Sequence, residues 1–206
     1  MLRTMTEEAK PRLLPRLLKA VAVVLIADLL LVAAIYVKWT TLDHRLVTIT
    51  PGAMYQSAMM PPDELVATCR ELGIKTVIDL RDSKPDDVRA EAKAAADSGV
   101  FRHVHLPTAT AVDLAAVHRF LEAMQTAERP VLVHCHHGES RSVMMAAIHR
   151  IQNEGWSNEG AFQATARLPE SLRFLSLLVP PLFRFRDDDK GKMVLEYRPD
   201  PKYAAR

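Results

Sequence analysis

Pro130-Val131-Leu132-Val133-His134-Cys135-His136-His137-Gly138-Glu139-Ser140-Arg141-Ser142 is the stretch on which the reading of this chain turns. Pro130–His134 is a short β-rich run of the kind that forms a buried strand. Arg141–Asn153 has the pattern of a helix. Cys135 therefore sits at a strand's carboxyl end, and Arg141 opens the helix that follows. A loop bounded in this way can curl until the backbone N–H groups of His136, His137, Gly138, Glu139, Ser140 and Arg141 converge on one anion. The helix N-terminus adds about half a positive charge. Arg141 offers a planar fork to two oxygens, and Gly138 lets the backbone turn inside the cup. The product is a cradle for a tetrahedral dianion with a sulfur at its base. Helix N-termini and nearby cations favour thiolate over thiol, and a thiolate in that position can attack phosphorus. Ser142 can donate a hydrogen bond to the sulfur when it departs.

Outward from this loop, strand and helix signals alternate. Strands are expected at Leu46–Thr50, Met54–Ser57, Lys75–Leu80 and Val100–Leu106. Helices are expected at Pro61–Leu72 and Asp86–Ser98, each followed by a glycine, and at Asp113–Glu128. Ser157 caps a further helix through Arg167, and Pro169–Leu178 forms another. This order predicts an α/β fold: a central, mainly parallel sheet flanked by helices, with its ligand beyond the strands' carboxyl ends. From Asp187 onward the chain is charged and contains prolines, and reads as a loose tail.

The loop resembles the C-x5-R signature of the cysteine-dependent protein tyrosine phosphatases. It is most similar to the dual-specificity subgroup pattern H-C-x-x-G-x-S-R-S, whose every fixed position is present in His134–Ser142. Gly52–Ser57, Gly73–Arg81 and Gly155-Trp156-Ser157 extend the likeness to the small atypical dual-specificity phosphatases over roughly residues 46–180. The family usually has Arg where Gln56 stands and often Gly where Val143 stands. The resemblance implies a dual-specificity phosphatase-like fold and metal-independent hydrolysis of phosphate monoesters through a cysteinyl-phosphate, with no cofactor. It gives His134 a supporting role around the loop. It also implies an aspartic general acid from the loop before the signature strand, and Asp113 is the only carboxylate in Pro107–Asp113. Asp113 can equally cap the next helix. Glu139 is a rival proton donor or a solvated rim residue. Phosphorylated proteins, carrying phosphotyrosine, phosphoserine or phosphothreonine, are the expected substrates. A lipid or other non-protein phosphate is the alternative, and a pseudophosphatase that only binds phosphorylated ligands is a further one.

Other chemistries fit less well. Rhodanese-like sulfur transfer uses a shorter loop without the arginine. A zinc reading of His134, Cys135, His136 and His137 fails because adjacent residues cannot readily converge on one tetrahedral ion. Cys69 shares a helix face with Leu65 and Leu72 and reads as core. Arg81 and Asp82, at a strand end near the cleft, either shape the pocket or pair with each other. His103 and His105 alternate on a strand and read as packing. Two cysteines in 206 residues exclude a disulfide scaffold. A net charge of +2 leaves no nucleic-acid footprint.

The basic excess is N-terminal: residues 1–45 hold 7 Lys/Arg against 4 Asp/Glu. Residues 1–19 form a basic segment of cytoplasmic type. Residues 20–38 read as a transmembrane helix: Ala20–Val37 is interrupted only by Asp28 and bracketed by Lys19 and Lys38, and a run of about 20 apolar residues crosses a bilayer. Tyr36 and Trp39 suit its interface. Asp28 is costly there unless neutral or paired. Residues 39–45 are the tether, 46–186 the catalytic domain and 187–206 the charged tail. Arg3, Lys10, Arg12, Arg16 and Lys19 precede the span, so the positive-inside rule puts the catalytic domain on the non-cytoplasmic side. The membrane is thus an expected partner. The Pro180–Arg186 segment mixes apolar and basic residues and reads as core or as a surface that touches the bilayer.

Overall fold

The computed structural model describes residues 13–165, 168–172, 174–175 and 189–203. A long helix, α1 (Leu13–Thr41), leads into the strands β1 (Val47–Thr50) and β2 (Met54–Ala58). Then come α2 (Pro62–Leu72), β3 (Thr76–Asp79), α3 (Pro85–Ser98), β4 (Arg102–His105), α4 (Leu114–Thr126) and β5 (Val131–Cys135). The chain continues through α5 (Arg141–Glu154), α6 (Asn158–Gln163) and α7 (Asp189–Glu196).

The five strands lie in the order β1-β2-β5-β3-β4, with β1 antiparallel to β2 and every other pair parallel. The expected α/β architecture is the observed one. Side chains alternate across a strand, and this sorts the core into two layers. Met54, Ile78, Val131, Val133 and Cys135 face a cluster with residues of α4, α5, α6 and α7. Tyr55, Val77 and Leu132 face a second cluster with Leu65 and Cys69 of α2 and Ala95 of α3. The central strands β2, β3 and β5 are buried throughout, whereas β4 is a half-exposed edge. Register matters because it puts Ala58 beside Cys135, and Asp79 beside His134, at one edge of the sheet.

Three expectations are corrected. The segment after Asp187 is not a loose tail between residues 189 and 203. α7 and a 3-10 turn at Pro201–Tyr203 pack onto the domain, with Val194, Tyr197 and Tyr203 buried in the core. Gln152 of α5 fastens this segment, accepting from Tyr197 Oη at 2.5 Å and donating to the Asp200 carbonyl at 2.9 Å. The helix after Ser157 ends at Gln163, and Glu170–Leu172 forms a single 3-10 turn. Arg167, Leu177 and Leu178 lie outside the described residues, as does the Pro180–Arg186 segment. Finally, the residues read as a tether are compact. α1 continues to Thr41, and His44 and Arg45 take left-handed backbone conformations (φ 46° and 52°) that turn the chain straight into β1.

α1 is long and apolar enough to cross a membrane by length and composition. Its flanks carry exposed Val23, Leu25, Leu29 and Leu30.

Candidate active site

The carboxyl end of β5 delivers Cys135 to the sheet edge, and α5 begins at Arg141 with Ser140 as its N-cap. Gly138 is the point where the loop closes. Its φ is +66°, and a Cβ there would lie 2.5 Å from the Ala58 nitrogen, so neither the conformation nor the space admits a side chain. The pattern's glycine therefore has a steric reason.

Cys135 is 2% exposed. Its Sγ lies 3.3 Å from Ser142 Oγ, the pair expected from the sequence. Gln56 donates through Nε2 to the Gly138 carbonyl at 3.1 Å and to Ser142 Oγ at 3.2 Å. Gln56 thus braces the loop from β2, a role the sequence did not disclose. Arg141 is held by Nη1, which donates to Thr108 O at 2.6 Å, Asp82 Oδ1 at 2.7 Å and Leu80 O at 3.2 Å. Among the described residues, Nε and Nη2 of Arg141 have no partner. The guanidinium is thereby fixed by the loops after β3 and β4 while one edge stays available to an anion. Asp82 and Arg81 do not pair with each other: Asp82 meets Arg141, and Arg81 turns inward.

The expected supporting residue, His134, does not bond the loop. It points to the opposite face of β5, where its Nε2 lies 2.9 Å from Glu91 Oε1. Below it is a buried charge network. Arg81 donates to Asp79 Oδ1 and Oδ2 (2.9 and 2.7 Å) and to Glu91 Oε2 (2.6 Å). His103 Nε2 is 3.2 Å from Glu91, and His105 Nε2 is 2.8 Å from the Arg81 carbonyl. Burial alone would raise the Glu91 carboxyl, but hydrogen bonds from His103 and His134 outweigh it and bring it down to about 2. Burial would lower His103, yet Asp79 and Glu91 carry it up to about 9. Asp79, Glu91 and His134 have ligand atoms close enough together for a metal ion. The Arg81 guanidinium already bridges the two carboxylates, so their charge is answered without one.

The remaining site residues lie at the rim. His136 and His137 stack edge to face at 4.3 Å. Burial, then the neighbouring His137, holds His136 below the ordinary histidine value. Glu139 forms an ion pair with Arg45. Asp113 caps α4, accepting from the Ala116 N–H at 2.8 Å. Cys69 is fully buried, and burial, then the charge of Glu91, pushes its thiol up to about 12.

A phosphatase family model described as DSP-PTPase phosphatase fused to NAD+ kinase matches residues 51–173, more than half of the chain. The chain belongs to this dual-specificity, cysteine-dependent phosphatase family and is a phosphoric monoester hydrolase. TpbA from P. aeruginosa, solved as a variant in complex with phosphotyrosine, is 33% identical. That match covers 60% of this chain and 72% of that one, with a TM-score of 0.50. A second TpbA structure is 28% identical over 75% of this chain and 92% of that chain (TM-score 0.51). The catalytic domain of the PP-IP phosphatase SIW14 from S. cerevisiae shares the fold at 16% identity, covering 74% and 85% (TM-score 0.56). No curated protein is significantly similar to the chain.

Proposed function

We propose that this chain is a membrane-anchored phosphatase that works through a cysteinyl-phosphate on Cys135. The observation that carries the reading is the joint placement of Cys135, Ser142 and Arg141 around one closed loop at the end of β5. The phosphate sits in the loop of His136–Arg141, its oxygens met by backbone N–H groups and the free edge of Arg141. Cys135 attacks in line, the S–P bond forms and the P–O bond breaks. A carboxylic acid protonates the leaving oxygen. Asp113, now ionised, takes a proton from water as the water oxygen bonds to phosphorus; the S–P bond breaks, the sulfur leaves as thiolate, and Ser142 donates a hydrogen bond to it. His134, held by Glu91 on the opposite face of β5, supports the strand that carries Cys135.

Asp113 is the proton donor in this scheme, and it must give up its cap on Ala116 to act. Its loop is already pinned to the site by the Thr108–Arg141 bond. Glu139 is committed to Arg45 and reads as a rim residue. α1 supplies the anchor, its apolar length being the supporting observation. The scheme is the same whatever molecule carries the phosphate. TpbA's complex with phosphotyrosine makes aryl phosphates the first substrates to test.

The test is hydrolysis of p-nitrophenyl phosphate in EDTA. The full chain releases phosphate, and Cys135→Ser abolishes it. Release that needs a divalent metal and survives Cys135→Ser contradicts the scheme.

A further inference from the structure

The manner in which α1 reaches the site bears on what the site can meet. β1 is antiparallel to β2, so its first residue, Val47, pairs with Gln56 close to the carboxyl ends of the parallel strands. The chain therefore leaves α1 at the same sheet edge that carries Cys135. Ala58 N donates to the His44 carbonyl at 2.7 Å, and Ala58 is also the register partner of Cys135. Two strand spacings, about 10 Å, thus separate the backbone at His44 from that at Cys135.

This joint is braced. Arg45 lies over the Trp39 ring at 5.3 Å and the Tyr36 ring at 5.9 Å, and pairs with Glu139 in the loop itself. Trp39 is 6% exposed. Val32, Ile35 and Tyr36, on the same face of α1, are partly covered. The end of the helix is docked beside the loop.

Ala20–Val37 as a helix is about 27 Å long, close to the roughly 30 Å of a bilayer's hydrocarbon core. Lys38 then marks the boundary. The polar layer beyond it is about 5–8 Å deep on each side. The backbone at Cys135, about 10 Å from that at His44, is thus within reach of the headgroup layer. The surface around it suits that position. Leu42 and Leu114 are 70% and 51% exposed. Pro107, Ala109, Thr110 and Ala111 form an exposed, uncharged loop around Thr108, whose carbonyl accepts from Arg141. Apolar groups at the mouth of a site lose by facing water and gain by facing an interface.

The geometry points to a membrane lipid bearing a terminal phosphate monoester as the substrate, taken from the bilayer that holds α1. This rests on the proposed phosphatase chemistry and on α1 as an anchor. A lipid phosphate is already at the surface from which α1 emerges, beside the cleft, whereas a phosphorylated side chain on a folded protein must be brought to it by diffusion. Sharing a surface also raises the effective concentration of enzyme and substrate for each other. In the reaction, Cys135 sulfur bonds to phosphorus, the P–O bond to the lipid breaks, and the lipid oxygen takes the acid's proton. Water gives a proton to the same carboxylate as its oxygen bonds to phosphorus, and the S–P bond breaks to restore the Cys135 thiolate. Inorganic phosphate leaves, and the lipid alcohol stays in the membrane.

The test uses the full chain in phosphatidylcholine vesicles, with all rates normalised to p-nitrophenyl phosphate turnover of the same sample. Phosphatidic acid in the vesicles is compared with soluble glycerol 3-phosphate, which presents the same monoester free of the bilayer, and with a phosphotyrosine peptide. The lipid is expected to exceed both soluble substrates by roughly a hundredfold in kcat/KM. A long Gly/Ser insertion between Thr41 and Leu42 should remove most of that advantage while p-nitrophenyl phosphate turnover persists. A preference for the peptide, equal rates on lipid and glycerol 3-phosphate, or a lipid advantage that survives the insertion overturns the inference. Absence of p-nitrophenyl phosphate turnover in the unaltered chain overturns the phosphatase scheme instead.

Discussion

The signature loop and the charge network behind it sit back to back on β5, and they are built in opposite ways. The loop is local: residues 134–142 follow one another, and contacts from Arg45, Gln56, Leu80, Asp82 and Thr108 brace them from outside. The network gathers Asp79, Arg81, Glu91, His103 and His134 from β3, the loop after it, α3, β4 and β5. One face of β5 carries the sulfur; the other carries a histidine held by buried ions. The comparison teaches that the proposed reactivity is written in consecutive residues, whereas the rigidity beneath it depends on residues far apart in the chain.

Four experiments would break or sharpen that contrast. The largest effect is expected from Glu91→Ala. It strands Arg81 and His134 in a buried site, and loss of one partner from such a network costs about 3–5 kcal/mol. Urea unfolding should show this, while turnover below the melting transition falls far less than for a loop variant. A large loss of turnover at unchanged stability would mean the network belongs to the chemistry.

Arg141→Lys comes next. The charge stays but the fork is lost, along with the bonds to Thr108 and Asp82. A fall in kcat/KM of roughly 10²–10³ is expected, with the melting temperature little changed. An unaffected rate would remove Arg141 from the anion cradle.

Asp113→Asn should depend on the leaving group. Loss of a general acid costs about 10²-fold or more for an alkyl phosphate, and little for p-nitrophenyl phosphate, whose leaving group needs no proton. A uniform loss on both would indicate that Asp113 only caps α4. A leaving-group-dependent loss in Asp82→Asn would transfer the acid role to Asp82.

The smallest effect is on pH dependence. Burial opposes the charge on His103, but Asp79 and Glu91 outweigh it, raising its pKa from 6.5 to about 9 in the folded protein. Charged His103 therefore stabilises the fold fully below pH 6.5, and that contribution fades as the pH rises to about 9. Melting temperatures of the unaltered chain and His103→Gln should differ below pH 6.5 and converge above pH 9. A constant offset across the range would rule out a charged His103.

What the sequence made legible follows the same division. Cys135, Gly138, Arg141 and Ser142 could be placed because a strand, a loop and a helix follow in order, and their spacing has a chemical reason. The parallel sheet was legible because each strand run was followed by a helix run. Gln56 as a brace was not, since its partners Gly138 and Ser142 are 82 and 86 residues away. Nor was Asp82 on Arg141, at 59 residues. His103 read as packing because nothing nearby in the chain announces Glu91. α7 was missed because half of Asp189–Glu196 is charged, and only Val194 with Tyr197 beyond it reveals a buried face. The Arg45–Glu139 pair was invisible because its partners are far apart in the chain, although it joins the end of α1 to the loop.

The most direct test of the central claim is to quench the full chain in acid during turnover of an aryl phosphate and map phosphate on its peptides by mass spectrometry. The account predicts a phosphate on Cys135 that appears with substrate and decays when substrate is exhausted. Turnover with Cys135 unmodified throughout, or with phosphate on another residue, would contradict it.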